Sequence, residues 1–438
     1  MMPPPSPPPL SLQQLAAGIA GFDPGAVSIT QARAFIDALV PRVSTVEKLA
    51  LRSALGRVLA SDVRSELNVP AHDNAAMDGY ALRGTELAAH APTTLRVKGR
   101  GLAGQREIPS AGAGECVRIM TGAVMPAGLD TVVPQELIAL DGDRVTIPAD
   151  AVRAGDNRRR AGEDLGLGEV ALRAGRVLRP ADLGLLASLG RGEVAVLRRL
   201  RVAFFSTGDE LRSIGEPLDP GCVYDSNRYT LWAMLQRLGV VETVDLGVVR
   251  DEPGALLDAF ASAARDADAV ITSGGVSVGE ADHTRSVMAQ LGEVAFWHIA
   301  MRPGRPMAIG RIAAPDAGGH QAVLFGLPGN PVAVMVTFYA LVRDALLAMS
   351  GAVLPPLPLL RARAGSPIRK RAGRTEYQRG IVTRAVEGGD WQVRLTGAQG
   401  SGILRSMSEA NGLVVLAHDQ GDVAAGDWVD VLPFDGLV

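Results

Sequence analysis

The stretch DAVITSGGVSVGEAD, residues 268–282, decides the fold. Ala269-Val270-Ile271-Thr272 is a short apolar, β-branched run of the kind that forms a buried strand. Ser273, Gly274, Gly275 and Gly279 then make a glycine-rich turn. The carboxylates Glu280 and Asp282 follow, and His283 to Leu291 carries a helical pattern. A strand that ends in such a turn and opens a helix is an anion site, because backbone N–H groups and the helix dipole converge on it. Two acids beside a phosphate would repel it unless a hard cation such as Mg²⁺ stood between them. The alternative is a tight strand-to-helix turn whose acids merely favour the helix start.

Working outward, strands and helices alternate from Leu200. Val202-Ala203-Phe204-Phe205 reads as a strand. Asn227 to Leu238 reads as a helix capped by Asp225 or Ser226. Val244–Val249 is a strand, and Pro253–Ala264 a helix with proline in its first turn. Ala322–Phe325 is a later strand, and Pro331–Met349 a long helix. This alternation implies a parallel, doubly wound α/β domain, whose ligands lie at the carboxyl ends of the strands. The strand-end loops carry Asp209 and Glu210, Asp251, Glu280 and Asp282, and Gly326-Leu327-Pro328-Gly329-Asn330-Pro331. Their convergence predicts one crevice that holds phosphate on backbone amides, with the acids left for a cation or a ribose. Helix capping explains each acid separately, but does not require them to share one sheet edge.

The flanks divide into further lobes. Residues 1–22, beginning MMPPPSPPPL, read as a flexible proline-rich tail. Residues 23–69 and 163–197 form an N-terminal or linker lobe, with one helix from Ser28 to Leu39 and a second from Thr45 to Leu59. Residues 70–162 are β-rich, with turn chemistry throughout. The α/β domain takes 198–352. Beyond the linker around Pro355, residues 353–438 hold short strands at 378–385, 391–395, 412–416 and 428–432, a pattern for a small β-barrel.

Composition excludes several classes. The 438 residues are 47% hydrophobic with a net charge of −3, which argues against a nucleic-acid backbone as partner. Two cysteines, Cys116 and Cys222, are too few for a disulfide scaffold or thiolate metal site and fit a reducing cytoplasm. No secretory signal or uninterrupted membrane-length apolar stretch is present; 322–342 is interrupted by Gly326, Pro328, Gly329, Asn330 and Pro331. The six histidines show no metal-ligand spacing.

Ten segments carry a resemblance: AHDNAAMDGYALR (71–83), VRIMTGAVMP (117–126), NRRRAGEDL (157–165), FFSTGDEL (204–211), YDSNRY (224–229), LGVVRDEP (246–253), ITSGGVSVGEAD (271–282), MRPGRP (301–306), FGLPGNPVAVMVTF (325–338) and GAQGSGILRSM (397–407). Together, and in this order, they are similar to the MoeA family, the molybdopterin molybdenumtransferases of molybdenum-cofactor biosynthesis, which include gephyrin E-domain-like members. The resemblance implies a homodimer of four-lobed subunits. It also implies a reaction that joins molybdate to the dithiolene of adenylylated molybdopterin, releases AMP and uses a divalent cation, Mg²⁺. The site would form between subunits, the α/β lobe of one meeting the β-rich lobe of the other.

Carried over by position, the resemblance assigns catalytic roles to Asp282, Glu210, Asp251, Asp78, Thr121 and Asp164. Glu210, Asp251 and Asp282 are the expected metal ligands. Expected substrate contacts are Ser273, Gly274, Gly275, Gly279, Asp225, Arg302, Arg305, Pro328, Gly329, Pro331 and Ser401. Residue patterns alone pick out the α/β acids, but not Asp78, Thr121 or Ser401. Asp78 read alone is a turn former before glycine, and Arg158, Arg159 and Arg160 read alone are a solvated charge run. In HIAMRPGRP (298–306), Arg302 and Arg305 stand where many relatives carry lysine, and His298 where a further lysine is frequent. An arginine fork is not equivalent to a lysine point charge. Partners implied are a molybdopterin adenylyltransferase and molybdoenzyme-maturation proteins. The rival readings are an adenylyltransferase of the same fold and a non-catalytic molybdopterin-binding scaffold.

Overall fold

The computed structural model describes residues 10–105, 107–276, 283–315, 318–353, 355–384 and 389–434. Gly279, Glu280 and Asp282 lie outside the described residues, as does the start of the chain through residue 9.

The α/β domain is built on a six-stranded sheet. In spatial order its strands are Val241–Val249, Leu200–Thr207, Ala269–Ser273, Ala322–Leu327, Pro306–Ile312 and Gly292–His298. The first four run parallel. Alternation along Leu200–Thr207 sends Phe204 to one face and Phe205 to the other, and both are fully buried. Helices Ser226–Arg237 and the Pro331–Met349 segment cover the first face. Helices Pro253–Asp266 and His283–Leu291 cover the second, where Phe205 meets Phe260 edge to face at 5.0 Å. A sheet apolar on both faces cannot face water, so it forms the double-wound sandwich.

The sheet departs from the all-parallel expectation at one edge. Pro306–Ile312 and Gly292–His298 pair antiparallel to their neighbours. The excursion through Met301–Pro306 turns the chain back, so no crossover helix is needed.

Thr45 to Leu59 does not form the expected helix. Val46–Ala50 is a strand paired antiparallel with Glu193–Leu197, and Leu51–Ala54 is one tight helical turn. Val46, Leu49 and Ala50 fit either period, and pairing with a distant strand decides between them. The stretch read as a tail also contains structure. Ser11 caps a helix over Leu12–Ala17 in a reciprocal box with Gln14, and Leu12 and Leu15 are buried. Helix Ile29–Leu39 is capped by Ser28 in the same way and buries Ala32, Phe35, Ile36 and Leu39.

Residues 79–147 hold a second six-stranded sheet, and 360–433 a closed five-stranded barrel. The barrel strands are Leu360–Ala364, Thr375–Arg384, Trp391–Leu395, Gly412–Leu416 and Trp428–Pro433. Leu360–Ala364, just past the proline-rich linker, is a strand that the sequence reading did not mark. Closure comes from Thr375–Arg384 pairing with both Trp391–Leu395 and Gly412–Leu416.

Barrel and α/β domain share one core: Tyr377, Met407, Leu413 and Leu432 pack with Val332, Phe338 and Leu346. The 19-residue segment Pro331–Met349 is apolar enough to cross a membrane by length and composition, but 83% of its most hydrophobic window is buried in this core. A further pairing fixes the domains together. Met301 and Arg302 add as a parallel strand beside Thr375 and Glu376.

Candidate active site

A cleft of about 850 Å³ opens at the carboxyl ends of the parallel strands, between the α/β domain and the barrel. Its floor follows from the sheet. Strand Leu200–Thr207 delivers Gly208 and Glu210, Val241–Val249 delivers Asp251, Ala269–Ser273 delivers Gly274 and Gly275, and Ala322–Leu327 delivers Pro328 and Gly329. The four predicted loops therefore converge, as the strand-end rule requires.

Glycine is needed in the tight turn. Gly274 and Gly275 have φ of +97° and +64°, and a Cβ on them would run into Thr207 and Thr284. Gly274 N–H donates to the Leu327 carbonyl at 3.1 Å, which holds this turn against the last loop. Asn227 reinforces the junction. Its amide donates to Ser273 Oγ at 2.8 Å and to the Gly329 carbonyl at 2.7 Å.

The cleft carries two kinds of charge. Glu210 and Asp251 come from α/β loops. Asp209 Oδ1 accepts the Asp251 N–H at 3.2 Å, and Thr284 Oγ1 donates to Asp251 Oδ1 at 3.3 Å. Arg302 and Arg305 come from the segment that crosses to the barrel, and Arg374 from the barrel itself. The side chains of Arg302 and Arg305 are exposed and make no hydrogen bond or ion pair among the described residues. Arg374 is held by Glu376 at 2.7 Å. Strand pairing with Glu376 explains why the chain turns Arg302 toward the barrel junction.

The barrel closes the remaining wall with Gln399, Gly400 and Ser401. Their loop hangs on Arg379, which is 1% exposed. Its guanidinium donates to Ser406 Oγ at 3.0 Å and the Gly400 carbonyl at 2.9 Å. Burial, with Arg302 adding repulsion, lowers this arginine to about 10. The Ser401 carbonyl in turn accepts the Val332 N–H at 3.0 Å, at the start of the long buried helix.

Ser273, Gly274, Gly275, Glu210, Asp251, Arg302, Arg305, Pro328, Gly329 and Ser401 thus meet in one cleft. Asp225 and Pro331 do not line it. Asp225 is buried, accepts from Ser206 Oγ at 3.0 Å and caps helix Ser226–Arg237. Pro331 occupies the first position of its helix. Thr207, Asn227, Gly304, Arg374, Gln399 and Gly400 line the cleft without having been singled out by the sequence. All but Arg374 lie inside segments quoted for the resemblance: Thr207 in FFSTGDEL, Asn227 in YDSNRY, Gly304 in MRPGRP, and Gln399 and Gly400 in GAQGSGILRSM.

Asp78, Thr121 and Asp164 are elsewhere. Strand Gly79–Leu82 pairs antiparallel with Glu115–Ile119, Gly79 opposite Ile119, so Asp78 and Thr121 leave the sheet at the same end. Both the N–H and the hydroxyl of Thr121 donate to Asp78 Oδ1 at 2.7 Å. Asp164 is exposed on the turn after the arginine run, where Asp73 accepts the Ala161 N–H at 2.8 Å. No described residue of 70–162 lines the cleft.

Among the described residues, no three acids, histidines or cysteines gather as a metal cluster. The cleft offers two carboxylates, Glu210 and Asp251, and neither histidine nor cysteine among its described lining. Such an all-oxygen donor set fits a hard cation that takes its remaining ligands from phosphate and water.

A doubly wound domain with a glycine-rich anion turn, joined to a β-rich lobe and a barrel, defines a multidomain protein with a cleft suited to an anionic ligand. The family pattern of a probable molybdopterin binding domain matches residues 203–348. Patterns of the MoeA N-terminal region (domain I and II) and C-terminal region (domain IV) match 27–190 and 361–434. The chain is 41% identical over 416 residues to the molybdopterin molybdenumtransferase of Haemophilus influenzae, covering 94% of this chain and all of that protein. It is 36% identical over 407 residues to the Nostoc protein of the same name, 90% of this chain and 91% of the other. The crystal structure of the molybdopterin biosynthesis moeA protein from Pyrococcus horikoshii superposes with a TM-score of 0.79 at 28% identity, covering 93% of this chain and all of that one. The chain belongs to the MoeA family.

Proposed function

We propose that this protein inserts molybdate into adenylylated molybdopterin with release of AMP, the last step of molybdenum-cofactor synthesis. The observation that carries this reading is the single cleft that joins a phosphate-type turn, two carboxylates and unpaired arginines. A substrate with a phosphoanhydride at one end and an oxyanion acceptor at the other needs all three. The named activity of relatives that match over nearly their whole length supports it.

The glycine turn and the Pro328–Gly329 loop receive the phosphates. Glu210 and Asp251, with Asp282 outside the described residues, would hold Mg²⁺, which when bound would neutralise charge on the phosphoanhydride. Asp209 and Thr284 orient the Asp251 carboxylate. Arg302 and Arg305 bind molybdate, and Gln399 and Ser401 border it from the barrel side. Neither arginine is tied to a carboxylate, so both keep their donors for an incoming anion.

Asp78, Thr121 and Asp164 act in the same reaction through a homodimer, in which the β-rich lobe of one copy faces the cleft of the other. None of the three lines the cleft of its own chain, which supports this arrangement. The free thiols Cys116 and Cys222 suit a cytoplasmic site of action.

The test is AMP release by the purified protein, with Asp251→Ala and Arg302→Ala beside the wild type. Asp251→Ala should lower kcat at all molybdate concentrations, and Arg302→Ala should raise the molybdate KM. An adenylyltransferase would instead consume ATP and make the adduct. The β-rich lobe and barrel, which match the MoeA terminal regions, favour the transferase.

A further inference from the structure

A second pocket of about 390 Å³ lies behind the arginine side of the cleft. It sits where Gly25 and Ala26, the end of strand Gly292–His298 and the barrel segment Arg371–Arg374 come together. Arg305, Arg374 and Met301 line both cavities, so the two share a wall. Arg371 and His298 line the second pocket alone.

The chemistry of its lining is one-sided. Three arginines and one histidine border it, and no carboxylate does. In a chain whose net charge is −3, an acid-free pocket of this kind is a local concentration of positive field. The side chains of Arg305 and Arg371 are exposed and have no hydrogen bond or ion pair among the described residues. Arg374 is already fixed by Glu376, with Arg374 Nε donating at 2.8 Å, and so holds a set position in the shared wall. The rest of the lining is glycine, alanine, isoleucine and methionine. It provides no aromatic ring on which a base could stack, and no carboxylate or side-chain amide to hold a ribose. Guanidinium forks on an otherwise plain wall suit a compact oxyanion.

We propose that this pocket is a separate binding site for a small tetrahedral oxyanion, which it collects and passes across the Arg305–Arg374 wall to the cleft. The passage rests on the reading of the cleft as a molybdate-consuming site; the binding does not. The arrangement lets the bulky adduct fill the front of the cleft without closing the supply of the second substrate.

The test is equilibrium dialysis of the full-length protein against molybdate, followed by metal analysis. Arg302→Ala, which touches the cleft and not this pocket, is the background in which Arg371→Ala is added. Arg371 is exposed, so its loss spares the fold, and Ala372→Glu, also exposed, is the second variant. Molybdate binding should survive Arg302→Ala and then weaken about tenfold when Arg371→Ala or Ala372→Glu is added. In AMP release, Arg371→Ala alone should raise the molybdate KM by a similar factor and leave the KM for the adduct alone. Molybdate affinity that ignores both Arg371→Ala and Ala372→Glu would overturn the proposal. Arg371-dependent binding in a protein that releases no AMP would uphold the pocket and refute the transferase reading instead.

Discussion

Asp78 and Thr121 are joined twice: the backbone N–H and the hydroxyl of Thr121 both donate to Asp78 Oδ1, each at 2.7 Å. The pair sits at one end of the β-rich sheet, in the open, and touches nothing that lines its own chain's cleft. A carboxylate held in one orientation at a surface is a structural cap or half of a site completed by another molecule. The second alternative predicts complementation. Asp78→Asn and Glu210→Gln should each be nearly inactive alone. Mixed and allowed to exchange subunits, they should recover about a quarter of wild-type AMP release, since half the dimers then hold one intact site of two. Mixed samples no more active than their components would contradict a shared site.

The same pair sets a pH dependence. The Thr121 hydroxyl, and then the Thr121 N–H, hold the Asp78 carboxyl below its usual value. A depressed value in the folded state means that the stabilisation is complete above the unfolded carboxylate value and is lost as pH falls through the folded one. Unfolding curves of the wild type and Asp78→Asn should therefore differ at neutral pH and draw together in acid. A gap that widens in acid would reverse the sign and refute the assignment.

Gly275→Ala tests the turn. At a φ of +64° an added Cβ is strained, and here it would also run into Thr284, which orients Asp251. Strain of this kind costs about 1–3 kcal/mol. The loss should appear in thermal unfolding and, more steeply, in AMP release. Substitution at the equally left-handed Gly426, where no atom is within reach, isolates backbone strain from the collision.

Arg379→Lys should disturb the cleft from a distance. Arg379 never lines the cleft, yet its fork ties Ser406 to Gly400 and so positions Gln399 and Ser401. An ammonium cannot reproduce a fork. Fold stability should fall by about 1–3 kcal/mol through a lost charge-assisted bond in the core. The kinetic loss should fall on the molybdate KM more than on the adduct KM. Equal changes in the two would mark Arg379 as structural only.

Much of the α/β chemistry was legible because it is local. Each strand run sits next to its own loop in sequence, Asp225 precedes the helix that it caps, and Pro253 and Pro331 occupy first-turn positions. What the sequence hid is non-local. Val46–Ala50 became a strand through Glu193–Leu197, almost 150 residues away. Gly292–His298 and Pro306–Ile312 found antiparallel places at the sheet edge. Asn227 and Arg379 matter because of which loops they bridge, and no spacing rule reports that. Asp78 and Thr121 stood out only through resemblance, since a turn before glycine reads the same whether or not it serves a site.

If the transferase reading is right, the cleft consumes adenylylated molybdopterin and molybdate together. The direct test is AMP release by the purified protein with Mg²⁺, measured with and without molybdate. Release should depend on molybdate and be lost in Asp251→Ala. Tight binding of the adduct with no release at any molybdate concentration would contradict that reading, and would point to a molybdopterin-binding scaffold.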